Sequence, residues 1–331
     1  MASAECDLLS AAVEGVMEGV STTGSPYQIA FLTCLGITIL VFIVSTLTRN
    51  YSQVDKLWSI TPILYTWMAV VDARTLLMAV LVTVWGIRLT FNFHRRGGYS
   101  WPPWSGEEDY RWSYIQQGHF VPILANPVAW VTFNLTFISF YQNFLLLLIT
   151  SPSFVAYTAA KECNGGGTGQ HPLNMMGMDG LATLLVLLSI LVESVADNQQ
   201  YKFQTEKYRR INNGVERKGD YADGFCQSGL FSIVRKPNYA AEQSIWICFY
   251  LFAVAATGGN FLNWSLIGWS SLVMLFQGSG FFTEKLTLMK YPETYAKYQL
   301  RVPLYVPRLW RVSSKTNNTE TQSLVSVESK K

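Results

Sequence analysis

The chain has 331 residues, of which 50% are hydrophobic and 14% charged, and its formal net charge is +3. Soluble domains carry about 25% charged residues, so the composition excludes a soluble globular protein and predicts an all-α, multi-pass transmembrane bundle. Five cysteines without CxxC or ligand spacing, and His94, His119 and His171 set far apart, argue against a disulfide framework and a metal site.

In chain order, residues 1–26 form an acidic tail with Glu5, Asp7, Glu14 and Glu18 and no Lys or Arg. No basic stretch precedes the first apolar run, which predicts a retained span rather than a signal peptide. Runs long enough to cross about 30 Å of hydrocarbon fall at 27–48, 56–72, 75–93, 127–150, 179–198, 240–258 and 262–282, about seven spans within a single membrane domain at 27–311. Residues 312–331 read as a disordered polar tail. Eight Lys/Arg in 199–239 and nine after the seventh span lie on one face by parity. The positive-inside rule makes that face cytosolic, with the N-terminus on the other side and the C-terminus in the cytosol.

Polar residues within apolar runs are the functional candidates, because ionisable groups are costly in hydrocarbon. Trp85, Arg88, Asn92 and Arg95 share a helix face, and Arg88 needs a partner, for which Asp55, Glu108 and Asp109 are the sequence candidates. The fifth span ends in a stripe at steps of four and three: Glu193, Asp197, Gln200, Gln204 and Lys207. With Arg209, Arg210, Arg217 and Lys218 beyond it, the stripe reads as a polar pocket with a cationic lip, suited to a phosphate-bearing cofactor. The segment Gly229-Leu-Phe-Ser-Ile-Val-Arg-Lys-Pro-Asn-Tyr-Ala-Ala-Glu242 runs from a basic turn into an apolar helix that starts near Pro237. Asn238, Tyr239 and Glu242 fall on one face of that helix. In the last span Gln277 and Glu284 share a face, with Gly278 and Gly280 allowing close approach.

Six segments in order resemble the steroid 5-alpha-reductase-related membrane family, over roughly Tyr51 to Pro307. They are Asp55-Lys-Leu-Trp58, Trp85-Gly-Ile-Arg-Leu89, Glu108-Asp-Tyr-Arg-Trp112, the segment Ala196 to Gln204, the Gly229–Glu242 segment, and Tyr298-Gln with Val302-Pro. The resemblance implies a seven-helix bundle that binds NADPH from the cytosolic side, in its half at about 179–311, and reduces a double bond conjugated to a carbonyl. Asp197, Asn238 and Glu242 match cofactor-contacting residues of that family in type. Glu193 and Gln204 stand where those reductases have Asn and Arg, and Phe276 and Gly280 replace an Arg and a His. Arg235-x-Pro-x-Tyr239 followed by Glu284 also resembles isoprenylcysteine and phospholipid methyltransferases, which implies S-adenosylmethionine as the alternative cofactor.

The cofactor-binding candidates are therefore Asp197, Gln204, Lys207, Arg235, Asn238, Tyr239, Glu242 and Glu284. Tyr110, Arg111 and Asp55 are the catalytic candidates for gripping a substrate carbonyl. The expected partners are the lipid bilayer and an apolar lipid or sterol-like substrate, with no nucleic acid. The expected location is the endoplasmic reticulum or a related endomembrane. A non-catalytic lipid-binding role would leave several buried polar groups without a purpose.

Overall fold

The computed structural model describes residues 24–164 and 173–308. Nearly all of the acidic N-terminal tail and the whole polar tail from 312 lie outside the described residues. The elements are α1 (Pro26–Thr48), α2 (Thr61–Met68), α3 (Ala73–His94), α4 (Tyr110–Gln116), α5 (Pro127–Ile149), α6 (Ser151–Asn164), α7 (Met178–Asn212), α8 (Asp220–Asp223), α9 (Pro237–Ala256), α10 (Leu266–Lys290) and α11 (Pro292–Arg301). Proline opens α1, α9 and α11, where its missing N–H has no helical partner to lose and its φ is preset. Asp72 and Thr75 form a reciprocal capping box at the start of α3.

Six of these helices, α1, α3, α5, α7, α9 and α10, are long and apolar enough to cross a membrane. The run at 56–72, expected as a full span, takes a shorter and composite form. Helical turns begin where Leu57 N–H bonds Val54 C=O, and they lead into the eight-residue α2. This segment packs antiparallel along α3, pairing Ser59 with Thr90 at 2.7 Å and Trp67 with Thr83 at 3.0 Å. It runs back along α3 from the level of Thr90 to that of Thr83, so the expected count of about seven spans becomes six long helices and one short composite segment. Pro62 in the first turn of α2 marks where the regular helix starts, and Lys56 ahead of it is held in an end cap. Its ammonium donates to Gln53 Oε1 (3.1 Å), Pro103 C=O (3.0 Å) and Ser105 C=O (2.7 Å).

The core lies between α3, α5, α7 and α9, where Trp85, Trp246, Phe249, Phe252, Leu145 and Leu146 are buried. Trp85 and Trp246 meet edge to face at 4.9 Å. Helix association within lipid gains little from apolar burial as such, so close packing and polar cross-links carry it. One cross-link is the ion pair between Arg74 at the start of α3 and Asp179 at the start of α7. It is bidentate at 2.9 and 3.0 Å and nearly fully buried. Asp179 also accepts from Asn174 N–H at 2.8 Å.

Among the described residues, only Arg74 and Lys161 carry a basic group towards the end where α1, α3 and α7 begin; the other Lys and Arg lie towards the opposite end. The charge asymmetry of the sequence is therefore an asymmetry of the bundle, and the positive-inside rule assigns the basic end to the cytosol.

Removing one partner of a buried ion pair leaves an uncompensated charge. Arg74→Met is expected to destabilise the detergent-purified protein by about 3–5 kcal/mol, with the Arg74→Met/Asp179→Leu double variant recovering much of the loss, as read by thermal unfolding.

Candidate functional site

Arg88, two-thirds of the way along α3, is the centre of the polar interior. Its guanidinium lies 2.9 Å from Glu193 and 2.7 Å from Asp197, both on α7, and 3.6 Å from Glu242 on α9. The sequence candidates for its partner, Asp55, Glu108 and Asp109, are not the ones it meets. The α2 segment and the 95–109 loop fold those residues into the end cap, while the four-residue step from Glu193 to Asp197 aims two carboxylates at α3. Asn92 donates to Asp197 at 2.9 Å, and Arg96 reaches the same carboxylate at 3.7 Å. Both Glu242 oxygens are engaged, accepting from Trp85 Nε1 and Trp246 Nε1 at 2.9 Å each. Two residues placed among the cofactor contacts, Asp197 and Glu242, thus tie α3, α7 and α9 together.

A second cluster forms around the first turn of α9. Arg111, from α4, donates to Asp109 and, at 3.0 Å, to Ser279 Oγ of α10. Burial opposes the Arg111 charge, but Tyr239 and Asp109 more than offset it and raise its pKa. Lys236 sits at the N-cap of α9, which has no side-chain cap, with its ammonium 5.3 Å from the centre of the Tyr239 ring. It has no ion-pair partner among the described residues, and burial pushes its pKa down despite the opposing influence of Tyr239 and Glu284. A cation at a helix N-terminus opposes the macrodipole, and an anion bound there would satisfy both. Asn238 is half-buried and its amide makes no side-chain hydrogen bond among the described residues. Asp55 accepts a long hydrogen bond from Trp112 Nε1 at 3.4 Å; burial, and then the Asp109 charge, raise its carboxyl above the usual range. Tyr110 is exposed and packs edge-on against Tyr114, so of the adjacent pair only Arg111 turns inward.

A third cluster closes the last helices. Arg235 pairs with Glu284 at 2.7 Å and donates to the carbonyls of Gln299 and Val302. Glu284 also accepts from Gln299 Nε2 at 2.8 Å and from the Tyr295 hydroxyl. Behind it, backbone bonds from Arg235 N–H to Pro303 C=O (2.8 Å) and from Lys236 N–H to Leu304 C=O (3.1 Å) strap the chain after α11 to the start of α9. The strap delivers Tyr305 onto α10, where its hydroxyl donates to Phe276 C=O at 2.7 Å. Gly280 makes room for it, because a Cβ there would lie 1.8 Å from the Tyr305 hydroxyl; Gly278 has nothing within 4 Å and serves no such approach.

The remaining candidates are dispersed. Lys207 is buried and donates to Gly224 C=O (2.8 Å) and the Tyr291 hydroxyl (3.1 Å), so it anchors the 213–236 segment rather than a lip. Arg209 and Arg210 both pair with Glu206 at 2.7 Å. Gln204 is half-buried with no side-chain partner among the described residues. Asn238, Tyr239 and Glu242 share a broad face that splits: Glu242 turns to α3 and α7, whereas Tyr239 packs on Phe276 of α10 at 4.9 Å. Lys236, Ser279 and Tyr305 were not sequence candidates. Only Lys236 had a visible signal, its place between Arg235 and the helix-opening Pro237.

Gly280→Ala is expected to cost about 1–3 kcal/mol through overpacking. The cost should shrink in a Tyr305→Phe background, where the nearest ring carbon is 3.0 Å away, as measured by thermal unfolding of the four proteins of the cycle.

Comparison with known proteins matches this arrangement to other chains without supplying a reaction. The uncharacterized protein C594.04c of Schizosaccharomyces pombe is 33% identical over 299 residues, covering 86% of this chain and 80% of that protein. No solved structure matches significantly. Residues 41–302, which hold all three clusters except the strap, match the family described as "Protein of unknown function (DUF1295)", and the chain belongs to that family.

Proposed function

We propose that the protein is a membrane-embedded oxidoreductase that reduces a carbon–carbon double bond conjugated to a carbonyl, in a lipid or sterol-like molecule, with NADPH taken up from the cytosolic end. The observation that carries this reading is the cluster at the uncapped start of α9, where the unpaired Lys236 ammonium, Tyr239 and Arg111 lie together and the Asn238 amide, on the same first turn, has no side-chain partner among the described residues. A dinucleotide phosphate needs cations for its phosphates and a hydrogen-bonding edge for its carboxamide. Lys236 and the half-exposed Arg96 fit the first need and Asn238 the second.

Bound NADPH would supply the hydride. The protein's own groups do the rest. Arg111 and Tyr239 present N–H and O–H donors where negative charge grows on the substrate carbonyl oxygen, fixed in place by Asp109 and Ser279. Asp55, whose carboxyl is raised above the ordinary carboxylate range by burial and by the Asp109 charge, is the group proposed to deliver the proton that the α-carbon must receive. The Arg88 hub holds α7 and α9 at the spacing on which this region depends. An apolar substrate would reach the region from the bilayer. The endoplasmic reticulum or a related endomembrane, where such lipids are dissolved, is the setting that fits.

The steroid 5-alpha-reductase-like resemblance supports the same chemistry. The S-adenosylmethionine reading leans on Arg235 and Glu284, and these neutralise each other and cap the strap. Titration of the detergent-purified protein with NADPH and, separately, S-adenosylmethionine should give saturable binding of NADPH. Binding of S-adenosylmethionine in its place would reverse the assignment, and binding of neither would favour a lipid-binding role.

Arg111→Met is expected to lower the turnover of an enone substrate by about 10²–10³ with little change in NADPH affinity, as measured by NADPH oxidation kinetics. The pH dependence follows from Asp55. Its raised carboxyl pKa keeps the proton available below that value, so turnover should fall as pH rises through it. Asp55→Asn should remove that limb and reduce the rate by about 10² or more.

A further inference from the structure

On the outer side of α10, near the cytosolic end, lies a cleft of about 440 Å³. Its back wall is polar, made of Arg235, Glu284 and Gln299, and its lip is apolar, made of Phe281 and Leu288. Phe281 is 72% exposed on a helix whose outer face meets lipid, so the mouth opens toward the bilayer. The back wall is electrically closed: Arg235 and Glu284 pair at 2.7 Å, and Gln299 donates to Glu284 at 2.8 Å. Lys285 on the rim is different. Its ammonium lies 4.9 Å from the centre of the Phe120 ring and has no carboxylate within ion-pair distance among the described residues. The charge left over in the lining is therefore one positive charge, at the depth where a membrane helix meets head groups.

We propose that this cleft binds a single-chain lipid with one acidic head group, its chain along Phe281 and Leu288 and its head at Lys285. The volume falls within the 300–1,000 Å³ range of small-molecule sites, and an apolar lip of Phe281 and Leu288 beside one uncompensated charge selects an amphiphile over a free anion. Lys285 is well suited to this task, since an unpaired lysine at the membrane surface attracts anionic head groups by about 1 kcal/mol. The site does not depend on the reaction proposed above.

Native mass spectrometry of the detergent-solubilised full chain tests the proposal with three probes: oleate, oleyl alcohol (the same chain without the charge) and acetate (the same head without the chain). Oleate should bind saturably, one per protein, about fivefold more tightly than oleyl alcohol, and acetate should not bind. Lys285→Gln should bring oleate down to the affinity of the alcohol, and Leu288→Trp, which fills the cleft, should abolish binding of both. Equal binding of oleate and oleyl alcohol, unsaturable uptake of oleate, or an unchanged preference in Lys285→Gln would overturn it. Because Lys285 is exposed and makes no ion pair among the described residues, Lys285→Gln is expected to fold, and that variant decides the matter even if Leu288→Trp does not.

Discussion

One guanidinium holds the interior of this protein together. Arg88 reaches Glu193 and Asp197 on α7 and Glu242 on α9 from its own place on α3. Inside a membrane bundle the apolar faces of helices pack equally well against lipid, so what fixes three helices relative to one another is the cost of separating buried charges. The two tryptophans on Glu242 add to this, since their indole N–H groups take up both of its oxygens and stack the hub on the apolar core. Arg74 and Asp179 do the same at the opposite end of α3 and α7. Between these two pins α3 and α7 run side by side and cannot slide.

The pins also decide which groups are left for chemistry. A side chain already engaged by the fold has little to offer a ligand, and the interior carboxylates fall in that class: Glu193 and Asp197 are ion-paired with Arg88, Glu242 accepts from two tryptophans, and Glu284 is paired with Arg235. The groups with capacity to spare sit around the first turn of α9, where Lys236 and Asn238 face a helix terminus that has no side-chain cap. The strap after α11 shapes that region from below, and Tyr305 fills the space that Gly280 leaves open. The site is thus assembled from the 95–121 loop, the start of α9, the end of α10 and the strap, four pieces that are distant in sequence.

This division explains what the sequence disclosed and what it withheld. Hydrophobic run length located the six long helices, and a run of charge at 199–239 oriented them, because both are local properties. The second segment was visible as a run but not as a short helix. The sequence run extends back to Lys56, but that side chain is turned into an end cap, where two of its three hydrogen bonds reach a loop about fifty residues away. Helical spacing placed Glu193 and Asp197 on one face, yet could not say that the face meets Arg88, since the choice among carboxylates depends on which helix lies opposite. For the same reason Lys207 looked like part of a cationic lip and is a buried anchor for Gly224. Tyr305 had no signal at all, being brought to α10 by backbone bonds of the strap.

If the Arg88 hub is what sets the helices in register, its loss must be felt as a loss of fold rather than of one contact. The sharpest check is thermal unfolding of detergent-purified Arg88→Met beside the wild-type protein. A destabilisation of about 3–5 kcal/mol, the cost of stranding buried carboxylates, is the expected result. An unchanged unfolding midpoint would mean that the three helices are held by packing alone and that the hub is a passenger.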